Sequence, residues 1–280
     1  SPPSPATPSP RTGASCAGSA SELVTEMFYD TRGWVSSVTE KSGNGSVSQT
    51  TAMTYDALGN VISVDGPLAG ALDTAYFRYD ALRRRVGAIT PDPDAGGALL
   101  RRAERTTYDA RGRATKVETG TVVDASDTAW ANFSSLQQME ITYDTADRVL
   151  VQKAKAGSTT YAVTQNTYNG QRLGCRAERM NSATRTGTLP SACTAQAAGS
   201  DGPDRITSFV YDNAGNINSV TRGTGTAEAA TEQTWYDNAG LVTIVVDANG
   251  NQTGYGYDGF GQLHQAFFGN SGSETYTRDA

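Results

Sequence analysis

The dipeptide Tyr-Asp recurs along this 280-residue chain, at Tyr29-Asp30, Tyr55-Asp56, Tyr79-Asp80, Tyr108-Asp109, Tyr143-Asp144, Tyr211-Asp212, Tyr236-Asp237 and Tyr257-Asp258, with Tyr168-Asn169 as a degraded ninth copy. Successive copies lie 26, 24, 29, 35, 25, 43, 25 and 21 residues apart. Spacings in that range mark one supersecondary unit stacked on copies of itself, so the chain is expected to fold as an array rather than around one central core. Function then has to be sought on the assembled surface.

The residues around each copy identify the unit. Short alternating runs such as Thr51-Ala-Met-Thr-Tyr55 and Ile206-Thr-Ser-Phe-Val-Tyr211 precede the Tyr and read as strands. Three positions after the Asp comes a Gly, at Gly33, Gly59, Gly112, Gly215, Gly240 and Gly261. An Asp opening a turn accepts hydrogen bonds from the amides that follow it, and a Gly three residues on closes the hairpin in a left-handed conformation. Each Tyr-Asp-x-x-Gly is therefore predicted to be a β-hairpin turn. Arg83, Asp147 and Arg172 occupy the Gly position in the remaining copies. Arg adopts positive φ poorly, so the turns after Tyr79 and Tyr168 are expected to be of another type.

The returning strand shows as Val35, Val61, Val149, Ile217, Val242 and Leu263, six residues after each Tyr, with Ala114 as a smaller version. Three residues further stand Val38, Val64, Val117, Val220 and Val245. That odd spacing puts the two sets on opposite faces of a regular strand, so either both faces are partly covered or a bulge intervenes.

Together these features predict an all-β array of antiparallel hairpins over residues 21–280, with no long helices expected in a chain richer in Val and Thr than in Leu. Residues 1–20, opening Ser1-Pro-Pro-Ser-Pro, are too poor in apolar residues to join a sheet and read as an extended linker. Long inter-repeat spacings place insertions at about residues 119–136 and 174–204, with a smaller disruption at Pro91-Asp-Pro-Asp. No apolar run approaches the 18 or so residues that span a bilayer, and the chain reads as a segment of something larger.

The second insertion contains Cys175 and Cys193. A disulfide between them would close a loop of about 18 residues and stabilise it by roughly 3 kcal/mol on the chain-entropy model; the other reading is two unpaired thiols. Cys16 is expected to remain unpaired. A disulfide would imply an oxidising compartment.

The repeats, seen best in Asp247-Ala-Asn-Gly-Asn-Gln-Thr-Gly-Tyr-Gly-Tyr-Asp258-Gly-Phe-Gly261, resemble the YD repeats of the Rhs (rearrangement hotspot) family, which are shared with the C components of bacterial Tc toxins and with teneurins. The resemblance runs from about residue 26 to 280. It implies a sheet that curves or spirals into a hollow shell, in many members enclosing a C-terminal toxic domain. The partners implied are the rest of that shell and its toxin cargo, and the setting is secreted or cell-surface. The Asp-Pro-x-Gly-Leu-type signature of the family's autoprotease region is not found, so no proteolytic or toxic activity carries over to these residues.

An enzyme is not predicted. The single histidine, His264, lies in a post-turn strand, and no nucleophile elbow, zinc-protease helix, phosphate loop or dinucleotide fingerprint occurs. No cofactor is expected. Asp247, Asn249, Asn251 and Asp258 fall at EF-hand positions 1, 3, 5 and 12, but Gln252 stands where that loop needs Gly, and turns explain the same residues. Asp92 and Asp94 form a weaker candidate pair. Net charge −6 disfavours nucleic acid. Two function classes remain: a shell segment of a polymorphic toxin, and a surface adhesion or carbohydrate-binding module in which Trp34 and Phe260 at turn tips would contact glycans.

Overall fold

The computed structural model describes residues 21–269 and 272–276. The proline-rich leader and Cys16 lie outside the described residues. Among those described are nineteen strands, all of one antiparallel sheet, a five-residue helix α1 (Asp127–Ala131) and a single 3-10 turn at Ser182–Thr184. The chain divides into two compact units, Ser1–Gln138 and Met139–Ala280.

The first unit contains β1 (Leu23–Tyr29), β2 (Val35–Ser42), β3 (Ser48–Tyr55), β4 (Val61–Asp65), β5 (Ala75–Tyr79), β6 (Arg85–Ile89), β7 (Arg101–Tyr108) and β8 (Ala114–Val122). Each pairs antiparallel with the next in sequence. β9 (Ser134–Tyr143) covers the division between the units. The second unit continues with β10 (Val149–Ala156), β11 (Thr159–Asn169), β12 (Arg172–Glu178), β13 (Arg205–Tyr211), β14 (Ile217–Arg222), β15 (Ala230–Tyr236), β16 (Val242–Val246), β17 (Gln252–Tyr257), β18 (Leu263–Phe268) and β19 (Ser273–Thr275), again paired in chain order.

A bulge at the foot of the hairpins settles the odd spacing of the valines. Tyr29 faces Val35, but Phe28 faces Ser37 and Met27 faces Val38, so Ser36 is the extra residue. The parity flips there, and Val35 and Val38 end on one face with Tyr29 and Met27. The same shift accompanies Tyr55, Tyr79, Tyr108, Tyr168, Tyr211, Tyr236 and Tyr257. One face of each unit therefore carries the repeat tyrosines and the apolar residues flanking them.

On the opposite face each unit's insertion packs over part of the sheet. In the first, strand structure persists through Val122 and resumes at Ser134, so the segment between, rather than all of 119–136, leaves the sheet. Ser126 caps α1 by accepting from the Ala129 amide at 3.1 Å, a cap worth about 1 kcal/mol. The helix and the residue after its C-cap bring Ala129 and Phe133 onto Ile89, Ala103 and Val122, with Trp130 and Tyr76 packed against them. Trp130 sits so close over β6 that a Cβ on Gly87 would lie 2.5 Å from its ring, which is why a side chain is missing there.

In the second unit β12 extends to Glu178, and residues 179–204 fold over the sheet. Cys175, Ala177 and Ile206 of the sheet and Ala192 of this cap form a small apolar cluster. Its polar centre is Arg179, 1% exposed, which is paired with the equally buried Asp204 at 2.7 Å. The guanidinium also donates to Gln165 Oε1 and to the carbonyls of Pro190, Ser191 and Thr194. Burial alone raises the Asp204 carboxyl, but Arg179 and the Gln196 and Met180 amides outweigh it and hold it below the usual range.

Candidate functional site: the turn row and its tyrosine latches

Asp30 shows how each turn is made. Its amide donates to the Trp34 carbonyl at 2.8 Å, and the Gly33 amide returns to the Asp30 carbonyl at 3.0 Å. One carboxylate oxygen accepts from the amides of Arg32 and Trp34, both at 2.9 Å. Gly33 has φ 84°, the left-handed value that closes a three-residue hairpin loop with a bulge. The same backbone pattern holds at Asp56, Asp109, Asp212, Asp237 and Asp258, where Gly59, Gly112, Gly215, Gly240 and Gly261 take positive φ.

Of the two turns expected to be of another type, the one after Tyr168 is and the one after Tyr79 is not. After Tyr79 the turn is of the common type, a correction to the prediction: Arg83 adopts φ 63°, its amide donates to Asp80 O, and Asp80 N–H donates to Arg84 O. Asp80 accepts from the Leu82 and Arg84 amides as the other aspartates do, and Arg83 Nε donates to Asn60 Oδ1 at 3.0 Å. Those bonds oppose the strain of a side chain at positive φ, about 1–2 kcal/mol. After Tyr168 the loop is shorter: Asn169 faces Arg172 directly, and Gly170 supplies the positive φ at 59°.

A further turn of the same kind begins at Asp247, where the sequence reading preferred turns to a metal loop. Asp247 accepts from the amides of Asn249 and Asn251, Gly250 has φ 85°, and Asn251 Nδ2 donates to the second carboxylate oxygen at 2.8 Å. Only the Tyr is lacking, since Val246 precedes the Asp. Asp247 and Asp258 thus cap opposite ends of the six-residue strand β17, about 20 Å apart, so they cannot share one ion. Among the described residues no group of three or more His, Cys, Asp or Glu side chains is placed to hold a metal.

The repeat tyrosines join one hairpin to the one before. The hydroxyl of Tyr55 donates to Val35 O at 2.7 Å, Tyr108 to Arg85 O at 3.1 Å, Tyr168 to Val149 O at 3.1 Å, Tyr211 to Leu173 O at 3.0 Å, Tyr236 to Ile217 O at 3.1 Å and Tyr257 to Val242 O at 2.9 Å. In each case the acceptor is the residue that faces the preceding repeat tyrosine across the bulge, or its counterpart.

Arginines run alongside. Arg84 pairs with Asp80 at 2.6 Å, lies 4.6 Å over the ring of Tyr108 and donates to Asp109 O. Arg148 pairs with Asp144 and lies 4.1 Å over Tyr168, and Arg172 lies 5.3 Å over Tyr211 while donating to Asp212 O. Side-chain bonds from Arg84 and Arg113 lead in holding Asp80 and Asp109 below the usual carboxyl range; at Asp30 and Asp144 the amides of Trp34 and Arg148 lead, and at Asp56 and Asp212 the side chains of Asn60 and Asn216. These carboxylates are therefore committed to turns and are not poised as proton carriers.

Trp34 is not a tip aromatic. It lies under Arg32 at 3.9 Å and against Tyr55 at 5.2 Å, and it fills the space beside Gly59. Phe260 alone of the proposed glycan-contacting pair stands free, at 91% exposure. Asp92 pairs with Arg101 at 3.6 Å and accepts from the Asp94 amide, as a loop-closing residue does. His264 is the extra residue of the β18 bulge, and its carbonyl accepts from the Tyr276 amide. Cys175 and Cys193 are joined, Sγ to Sγ, at 2.10 Å.

Residues 236–266, the three successive turns at Asp237, Asp247 and Asp258 with β16 and β17 between them, match the RHS Repeat family. The chain carries an Rhs repeat. No curated protein matches it in sequence. Among solved structures it resembles the TcdB2-TccC3-Cdc42 crystal structure at 15% identity, covering 87% of this chain and 14% of that one with a TM-score of 0.39. It also resembles the Photorhabdus luminescens Tc holotoxin pore carrying TccC3-D651A, at 13% identity, 86% and 14% coverage and a TM-score of 0.29. A porin-like protein from Bacteroides uniformis matches at 11% identity over 88% of both chains, with a TM-score of 0.28. The chain thus spans about one seventh of the length of the Tc chains it resembles. Among the described residues no helix is long and apolar enough to cross a membrane.

Proposed function

We propose that this chain is a wall segment of an Rhs-type shell, a structural element that helps enclose a C-terminal toxin cargo and performs no catalysis of its own. The observation that carries the reading is the serial linkage of the Rhs repeats: strands pair in chain order within each unit, and repeat tyrosines hydrogen-bond to the hairpin before their own. Such an array extends by adding units and makes a wall of any length. The aspartates of its repeats are spent on turns. The disulfide fits a secreted or surface-delivered protein.

The test is protease protection in the parent protein. With the shell intact, the segment downstream of the repeats should resist a broad-specificity protease that digests it rapidly after mild denaturation. Equal digestion of that segment in the native protein would overturn the reading.

A further inference from the structure

The cap over the second unit holds its disulfide asymmetrically. Cys175, on β12, is 4% exposed and lies among Ala177, Ala192 and Ile206. Cys193, on the cap, is exposed. A thiolate approaching from solvent therefore meets the Cys193 side of the bond. The cap itself is tied down by groups that involve neither sulfur. Arg179 holds the carbonyls of Pro190, Ser191 and Thr194, Gln165 Nε2 donates to Pro190 O at 2.7 Å, and the Ala192 amide donates to Thr167 Oγ1 at 2.9 Å. These five bonds bracket Cys193 in sequence from both sides.

We propose that Cys193 is a site of reversible thiol modification, with low-molecular-weight thiols of the glutathione type as the reactant and Cys175 as the buried resolving thiol. The thiolate attacks Cys193 Sγ. A new sulfur–sulfur bond forms there, the bond to Cys175 breaks, and its electron pair leaves on Cys175 Sγ, which takes a proton from solvent. In the reverse step Cys175, deprotonated again, attacks the mixed disulfide and expels the small thiol. Because the polar anchors keep Cys193 against Cys175 throughout, the reverse step is intramolecular and needs no other oxidant. Charge developing on the apolar-lined Cys175 is poorly solvated, so exchange runs over minutes to hours. The consequence is a cap that can pass between oxidising and thiol-rich surroundings without coming loose.

The experiment uses the full chain with Cys16→Ser, which removes the third cysteine. After incubation with reduced glutathione and quenching with N-ethylmaleimide, peptide mass spectrometry should show the glutathione on Cys193 and the maleimide on Cys175, by about tenfold or more over the converse. Removing glutathione before the quench should restore the disulfide. Arg179→Lys, which keeps the charge facing Asp204 but loses the forked contacts to the carbonyls, should slow that restoration. Glutathione on Cys175 in comparable amount would overturn the proposal. So would failure of the bond to re-form in the unsubstituted cap. Single-cysteine chains give an independent check: with Cys175→Ser the Cys193 thiol should react with maleimide under native conditions about tenfold or more faster than the Cys175 thiol does with Cys193→Ser. Equal rates would contradict the asymmetry on which the site depends.

Discussion

The hydroxyl of Tyr55 donates a 2.7 Å hydrogen bond to the carbonyl of Val35, the residue that faces Tyr29 across the bulge of the preceding hairpin. This bond crosses from one repeat to the next at the point where the bulge interrupts the ladder, and its counterparts recur at Tyr108, Tyr168, Tyr211, Tyr236 and Tyr257. The Tyr of the repeat is thus an inter-repeat latch, whereas the Asp serves its own turn.

Tyr55→Phe keeps the ring against Trp34 and removes only the donor. We expect a loss of about 1 kcal/mol, the usual net value of one such bond. Tyr55→Ala, which also strips the aromatic packing, should cost about 3 kcal/mol or more. Chemical denaturation of the two variants checks the difference. Equal losses would mean that the ring does nothing beyond carrying the hydroxyl.

Gly215 and Gly240 separate backbone strain from crowding. Both have positive φ, but a Cβ at Gly215 would lie 2.3 Å from the Arg172 guanidinium, while nothing lies within 4 Å at Gly240. Gly240→Ala should cost about 1 kcal/mol through strain alone. Gly215→Ala should cost more, because Arg172 must leave Tyr211 and the Asp212 carbonyl. Asn213→Ser in the same turn leaves the backbone requirement intact and should be nearly silent. Thermal denaturation ranks the three.

How much of this was legible in the sequence follows from where each signal lies. The hairpin turns were visible because Asp and Gly act locally, within four residues. The Asp247 turn was legible from the same residues but stayed outside the repeat count because Val246 replaces the Tyr that marked the others. Arg83 was misjudged for a related reason: positive φ is unfavourable for Arg taken alone, but the Asp80 carbonyl accepts from its amide and Asn60 Oδ1 from its Nε. The tyrosine latch left no trace, since its acceptor is a backbone carbonyl that any residue supplies. Arg179 and Asp204, 25 residues apart, gave no spacing signal at all.

Arg179→Met should leave the Asp204 carboxylate buried without its cation and cost about 3–5 kcal/mol, centred on the cap. Adding Asp204→Leu should recover part of that loss. Hydrogen exchange would report both effects between 163 and 206. A loss that the second substitution deepens would contradict the assignment of Arg179 and Asp204 as one compensated pair.

Acid should weaken the turns in a defined window. The carboxyls of Asp56, Asp80, Asp109 and Asp212 are held below their ordinary value by hydrogen bonds made in the folded state. Their contribution is fully present above the unfolded carboxyl pKa of about 3.9 and is lost as pH falls through the lower folded values. Stability should therefore be flat from about pH 7 to 5 with respect to these groups and decline below about pH 4. Asp80→Asn should shrink that decline, and denaturation midpoints measured across the range would show it.

The most direct test of the linked-hairpin arrangement is hydrogen exchange followed by mass spectrometry on Tyr211→Ala. This side chain latches β13 to Leu173 of β12 and anchors the turn to β14. If repeats are held chiefly by their neighbours, exchange should quicken across 172–178 and 205–222 and stay unchanged at 61–65 and 101–108. Uniform acceleration along the whole chain, or no change at 172–178, would contradict it.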